Sequence, residues 1–252
     1  MDKNINSNGF EYVDLELPSG TLWATCNVGA FSPSESGLYF QWGDIKGYTK
    51  EQIGKEKKFE YDFSDYKFSI DGSNANFSKY TTKCETLDLE DDAAHVHMGG
   101  DWHIPTPDQI YELLDNTTTT WMTYDNDGVG GIEFTSKRDI SKSIFIPASG
   151  YVRNGSIRYY GNEGYLWSSK ISTENINSGQ YLNLTYEGIH LYVDYRNLGF
   201  PVRGVIDKKS NLSELIRNEI KNNFRVKVTK YYAGNVEVQL LYNGEVISSD
   251  MC

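Results

Sequence analysis

The chain is poor in cysteine, proline and basic residues, and it has no long apolar run. Cysteine stands only at positions 26, 84 and 252. An odd count at wide spacing gives no disulfide framework, no CxxC redox pair and no zinc ribbon. Free buried thiols are therefore the expectation, with a single Cys26–Cys84 bridge as the alternative. Lys and Arg number 24 against 35 Asp and Glu, for a net charge of −11. Without a basic run the sequence-independent attraction to nucleic acid is missing, and an acidic surface disfavours anionic membranes. No segment approaches a membrane span, so no membrane insertion is expected. The opening residues, MDKNINSNGFEY, lack the apolar centre of a signal peptide and a cysteine for a lipid anchor. The expectation is a soluble protein that does not follow the ordinary export route. There is no Gly-x-Ser-x-Gly elbow, P-loop or HExxH, and paired carboxylates in so acidic a chain do not by themselves point to a glycosidase. The chain thus reads as no enzyme, with no cofactor.

Aromatic residues and glycine are abundant. There are 19 Tyr and 23 Gly among 252 residues, which suits short strands joined by many loops. YVDLELPSGTLWATCNVGA, residues 12–30, reads as two strands around a Pro18-Ser19-Gly20 turn. GLYFQWG, residues 37–43, is a further aromatic strand, and residues 44–82 read as long loops with room for one hairpin. Acidic residues open a short helix within 88–102 that Gly99-Gly100 closes. Thr106 is a candidate N-cap before Pro107, starting a helix whose stripe is Ile110, Leu113 and Leu114. Strands return in GIEFTSK, SIFIPASGYV, YLWSSK and FPVRGV. In GQYLNLTYEGIHLYVDYR, residues 179–196, Leu182 and Leu184, then Ile189, Leu191 and Val193, recur with period two around a Glu187-Gly188 turn. If the aliphatics face the core, Tyr181, Asn183, Thr185, His190, Tyr192 and Asp194 face outward. Residues 207–252 read as a helix with Asn211 and Glu214 in capping-box spacing, followed by a three-stranded meander turning at Asn243-Gly244. Such a module is too small to be stable alone without a partner.

Six segments appear in a fixed order: YVDLELPSGTLWATCNVGA, YFQWGD, LEDDAAHVHMGGDWHIPT, SIFIPASGY, GYLWSS and RNLGFPVRGV. Together they resemble the Fibrobacter succinogenes major paralogous domain of gut Bacteroidetes and their phages, over roughly residues 10–206. His103 follows the Gly-Gly-x-Trp motif where that family usually has Arg, and VRGV replaces its closing Val-Arg-Pro-Val. The resemblance implies an α+β, C-type-lectin-like or formylglycine-generating-enzyme-like fold with short strands, two helices and long loops, to which the C-terminal helix and meander are added. The closing part is also similar to the variable region of lectin-fold phage proteins, whose surface residues bind varied targets. The organisation expected is a polar N-terminus at 1–9, a ligand-binding domain at 10–206 and an anchoring or oligomerisation module at 207–252. The implied role is a non-enzymatic virion surface protein of fibre or decoration type that adheres to host-surface glycan. The alternatives are a purely structural head-fibre or tail component, or a bacterial cell-surface adhesin. The partners would be host polysaccharide or protein, other virion proteins through 207–252, and further copies of the chain.

The candidate ligand-binding residues are Arg158, Tyr159, Tyr160, Asn162, Tyr181, Asn183, His190, Tyr192, Asp194 and Tyr195. Tyrosine offers a flat apolar face and a polar tip at low entropic cost, and Asn, Asp and Arg add directed hydrogen bonds. Trp102, Trp121 and Trp167 lie in the recurring motifs and read as core. A zinc site from His95, His97 and His103 is disfavoured because an i,i+2 pair does not share a helix face. The DLEDD run has carboxylates suited to calcium but no EF-hand spacing. No metal is assigned.

Overall fold

The computed structural model describes residues 4–5, 8–53, 55, 61–83, 85–124, 129–207, 220, 223–230 and 236–251. Two units emerge, Met1–Asp207 and Lys208–Cys252. The first unit opens with an antiparallel sheet in the order β1 (Asn4–Ile5), β2 (Glu11–Val13), β3 (Leu22–Asn27) and β14 (Arg203–Ile206). β4 (Tyr39–Phe40) pairs with β13 (Phe200–Pro201). β5 (Thr117–Tyr124), β6 (Val129–Ser136) and β7 (Ser143–Pro147) form a meander, and β8 (Tyr151–Arg153) and β9 (Ser156–Arg158) form a hairpin. β10 (Gly164–Ile171), β11 (Ser178–Leu184) and β12 (Ile189–Tyr195) make a three-stranded antiparallel sheet.

The helices begin for the local reasons the sequence suggests. In α1 (Ala93–Met98) the Asp92 side chain accepts from the His95 amide, and Gly99 ends the helix at φ 70°. In α2 (Pro107–Asn116) Thr106 and Gln109 form a reciprocal capping box with Pro107 in the first turn. The balanced α+β class is nevertheless wrong. The chain is mostly β, 42% strand against 10% helix, built from several small antiparallel sheets. The two helices are 6 and 10 residues long, while almost every other periodic segment finds an antiparallel partner. The expected C-terminal helix, with its Asn211–Glu214 spacing, falls mostly outside the described residues.

The core of the first unit divides by chemistry. An aliphatic cluster gathers Ile110 and Leu113 of α2, Ile132, Ile144 and Ile146 of the β5–β7 meander, and Leu166, Leu182 and Leu184. An aromatic cluster gathers Phe40, Trp42, Trp102, Tyr165, Trp167, Tyr181 and Phe200. The β10–β11–β12 sheet lies between them. Its register places Leu166 beside Leu182 and Trp167 beside Tyr181, so successive residues serve opposite clusters. Trp102 and Trp167 are buried as expected. Trp121 is only half-buried, because it stands at the rim of the aliphatic cluster with its ring edge toward exposed Tyr186.

Two fully buried arginines join the segments. Arg203 spends its guanidinium on the carbonyls of Ala24, Thr25 and Phe145 and on Asn27 Oδ1, all within 3.1 Å. Burial pulls its pKa down to about 10. Arg196 lies 3.5 Å from the Phe77 ring centroid and donates through Nη1 to the Tyr80 carbonyl. Cys26 carries a free thiol, and Cys84 lies outside the described residues.

In the second unit β15 (Phe224–Lys230), β16 (Val236–Tyr242) and β17 (Glu245–Met251) form an antiparallel meander. Asn243 and Gly244 take φ of 50° and 86° between the paired residues Tyr242 and Glu245, as a type I′ turn requires. Val226 and Leu240 are cross-strand partners, and both are exposed.

Candidate functional site

The aromatic face of the β10–β11–β12 sheet leads from core to surface. Tyr165 and Tyr181 stack at 5.7 Å between ring centroids, and Tyr181 meets Tyr192 at 6.3 Å. Tyr192 in turn lies 5.6 Å from His190. On the other side, Tyr151 of β8 approaches Tyr165 at 4.9 Å and stacks with Tyr159 at 6.0 Å. The order Tyr159–Tyr151–Tyr165–Tyr181–Tyr192–His190 is thus one continuous ring path. Its ends are exposed, and its middle is anchored on Phe200 and Trp167.

This path corrects the reading of the sheet. Tyr181 and Asn183 are buried, with Tyr181 only 8% exposed. β11 has a strand on each side and a cluster on each face, so its non-aliphatic positions are covered too. β12 lies one strand further out, where the aromatic cluster no longer reaches, and His190 and Tyr192 are exposed. Tyr195 is exposed but turns to another neighbour, meeting the Phe63 ring edge at 5.8 Å.

The β8–β9 hairpin supplies the other edge of the surface. Asn154 and Gly155, at φ 50° and 66°, make its two-residue turn. Arg158 pairs opposite Tyr151, so the two share a face. Tyr159, Tyr160 and Asn162 follow on an exposed turn. Tyr160 faces away from the ring path to Lys50, whose Nζ lies 4.5 Å from its ring centroid and 3.2 Å from its hydroxyl. The structure therefore joins Tyr159, Tyr181, His190 and Tyr192 in one path, but gives Tyr160 and Tyr195 other partners.

Two carboxylates border the path. Glu163 Oε2 accepts from the Tyr165 hydroxyl at 2.5 Å and from Asn183 Nδ2 at 3.5 Å. Asp194 Oδ1 accepts from the Tyr195 amide at 2.7 Å. Burial raises the Asp194 pKa, opposed by that amide and by the Arg153 guanidinium. Burial also holds the Tyr165 and Tyr181 hydroxyls far above the usual phenol range, reinforced by Glu163 for Tyr165 and Asp194 for Tyr181. Both remain protonated donors. Sequence reasoning missed Tyr151 and the buried Tyr165 on the ring path, and Glu163 at its border. Tyr165 lay hidden inside a motif read as framework. The Asn154-Gly155 pair was the available sign that Tyr151 belongs to a hairpin.

The metal candidates resolve differently. Asp88, Glu90 and Asp91 bring ligand atoms within 4.8 Å of one another. Lys79 Nζ occupies that cluster, 2.7 Å from Asp88, 2.9 Å from Glu90 and bonded to Asp91. Burial alone would raise the Asp91 pKa, but Lys67, Lys79 and the Tyr80 hydroxyl outweigh it and hold it below the usual carboxylate range. His95 Nδ1 faces the Trp102 carbonyl and His97 Nε2 the Ile45 carbonyl, on separate segments. His103 Nε2 stands 3.6 Å from Asp207, so the three imidazoles do not converge.

Two cavities lie elsewhere. One of about 210 Å³ is lined by Gln41, Asp44, Lys46, Tyr48, Tyr61 and Asp65. A groove of about 1080 Å³ runs past Phe10, Tyr12, Cys26, Phe31 and Met98. Neither includes a sequence-predicted site residue. No family model matches the chain, and no curated protein or solved structure matches it.

Proposed function

We propose that this protein is a non-enzymatic adhesion module that binds a host-surface glycan across the ring path from Tyr159 to His190. The observation that carries this reading is the continuity of exposed with buried rings. Tyr192 and Tyr159 reach solvent, yet each rests on a tyrosine held by the core. Rings fixed in this way lose little freedom when a sugar stacks on them, and the neighbouring carboxylates, amides and phenols can take its hydroxyls. The resemblance of the six ordered segments suggests the setting, the surface of a phage particle, with a bacterial cell surface as the alternative. Many copies on one particle would make weak single sites sufficient.

The test uses the full chain, displayed multivalently, against host cells and extracted surface polysaccharide. Tyr192→Ala and Tyr159→Ala are the informative variants, because both side chains are exposed and their loss should leave the fold intact. Saturable binding that falls at least roughly tenfold in the double variant is expected, as for loss of two stacking faces. Wild-type binding that the double variant retains in full would remove the ring path from the reading.

A further inference from the structure

We infer that the ring path is built to hold a positively charged amine, so that its ligand is a glycan bearing free amino groups. This rests on the glycan-binding reading and names the ligand class. Tyr181 is the starting point. Its side chain is more than nine-tenths buried, and its hydroxyl reaches the surface beside the exposed Tyr192 ring. Two carboxylates and two phenols stand in electrostatic reach of that hydroxyl: Asp194, Glu163, Tyr151 and Tyr192. A phenol oxygen at the surface among these groups can accept from a ligand's donor.

The acceptors are also incompletely used. Among the described residues Glu163 binds Tyr165 and Asn183 through Oε2, leaving Oε1 for a ligand, and Asp194 binds the Tyr195 amide through Oδ1, leaving Oδ2. Tyr165, Tyr181, Tyr151 and Tyr192 meet one another at centroid distances of 4.9 to 6.3 Å. Ring faces with carboxylates beside them are the environment that a primary or quaternary ammonium selects. Arg153 supplies one positive charge near Asp194, against two carboxylates. The chain makes a related contact nearby, where the Lys50 ammonium sits over Tyr160 and bonds its hydroxyl. An ammonium offers three donors and no acceptor, which matches a site rich in unused acceptors. A neutral sugar would leave Arg153 as the one positive charge set against the two carboxylates.

The experiment titrates the full chain with glucosamine oligomers, their fully N-acetylated counterparts, neutral glucose oligomers of equal length, and tetramethylammonium. Ring signals of Tyr181 and Tyr192 are followed by NMR. The free-amine oligomer is expected to bind roughly tenfold tighter than the N-acetylated one, as one cation–ring contact and one carboxylate contact would give. That preference should collapse in Asp194→Asn and in Glu163→Gln. Tyr181→Phe keeps the ring and should weaken the amine oligomer alone. Melting curves of each variant separate lost binding from lost folding. Equal binding of amine and N-acetylated oligomers, unchanged in the carboxylate variants, would overturn the ammonium inference and leave the glycan reading standing. Tetramethylammonium shifting both tyrosines while every oligomer fails would keep the ammonium site and remove the glycan. Silence from all four probes would overturn both.

Discussion

β11 and β12 have the same alternation in sequence and very different surroundings. Leu182 and Leu184 in one strand, and Ile189, Leu191 and Val193 in the other, mark the aliphatic face in both. β11 lies between two strands and two hydrophobic clusters, so Tyr181 and Asn183 are buried with its leucines. β12 has one partner strand among the described residues, and even Val193, at 38% exposure, is not covered. Alternation therefore fixes which residues share a face. It does not fix whether that face is wet, which depends on how far the neighbouring layer extends.

The largest expected effect tests that contrast directly. Leu182 is fully buried in the aliphatic cluster, and Leu182→Ala should cost about 3 kcal/mol. Its cross-strand partner Leu191 is half-buried, and Leu191→Ala should cost about 1 kcal/mol. Urea unfolding of the two variants gives both numbers. Equal losses would mean that β12 is covered in solution, as it would be by a second copy of the chain.

Glycines on and beside the two strands sharpen the same point at smaller amplitude. A Cβ on Gly179 of β11 would stand 2.7 Å from Trp42 Cδ1 and 3.1 Å from Trp167 Cζ3, both rigid rings. Gly179→Ala should cost about 2 kcal/mol through overpacking. A Cβ on Gly188, in the turn before β12, would meet only the exposed His190 ring at 2.9 Å, which can swing away. Gly188→Ala should change stability by less than about 0.5 kcal/mol. A large loss at Gly188 would show that the His190 ring is fixed in place.

Local chemistry was legible in the sequence and layering was not. The Thr106 cap with Pro107, the Gly99 helix end, the Asn243-Gly244 turn and the two strands around residues 185–188 all follow from rules acting over a few residues. The α+β class failed because fold class depends on how many segments find partners. Short strands such as Tyr39–Phe40 and Phe200–Pro201 carry almost no period of their own, yet they pair across the chain. The candidate site was half legible. His190, Tyr192 and Tyr159 stand on the surface as read, whereas Tyr181 is buried in a cluster with distant Phe40, Trp42 and Phe200, and Asn183 is buried against Glu163 and the Gly164 carbonyl. Tyr151 and Tyr165 were hidden because sequence separates them from β12: the pairing of β10 with β11 brings Tyr165 near, and Tyr151 joins through its ring contact with Tyr165.

Asp194 is the smallest test and the most specific, because it sits on β12 opposite Gly179 of β11 and so reports the boundary between covered and open. Its folded pKa is raised, chiefly by burial. The unfolded chain releases that proton near pH 3.9. Between the unfolded and folded values the native state holds more protons, so stability falls as pH rises through that window and stays reduced above it. Asp194→Asn removes the ionisation. The variant should match the parent's stability at a pH below the unfolded value and exceed it slightly at neutral pH. Arg153→Ala should act in the opposite direction, since losing the guanidinium raises the Asp194 pKa further and deepens the neutral-pH deficit. Carboxyl NMR titration beside urea melts at pH 3.5 and pH 7 checks both. If Asp194 titrated as a free aspartate and neither variant moved the melts, this end of β12 would be as open as Tyr192, and the covered region would end at β11.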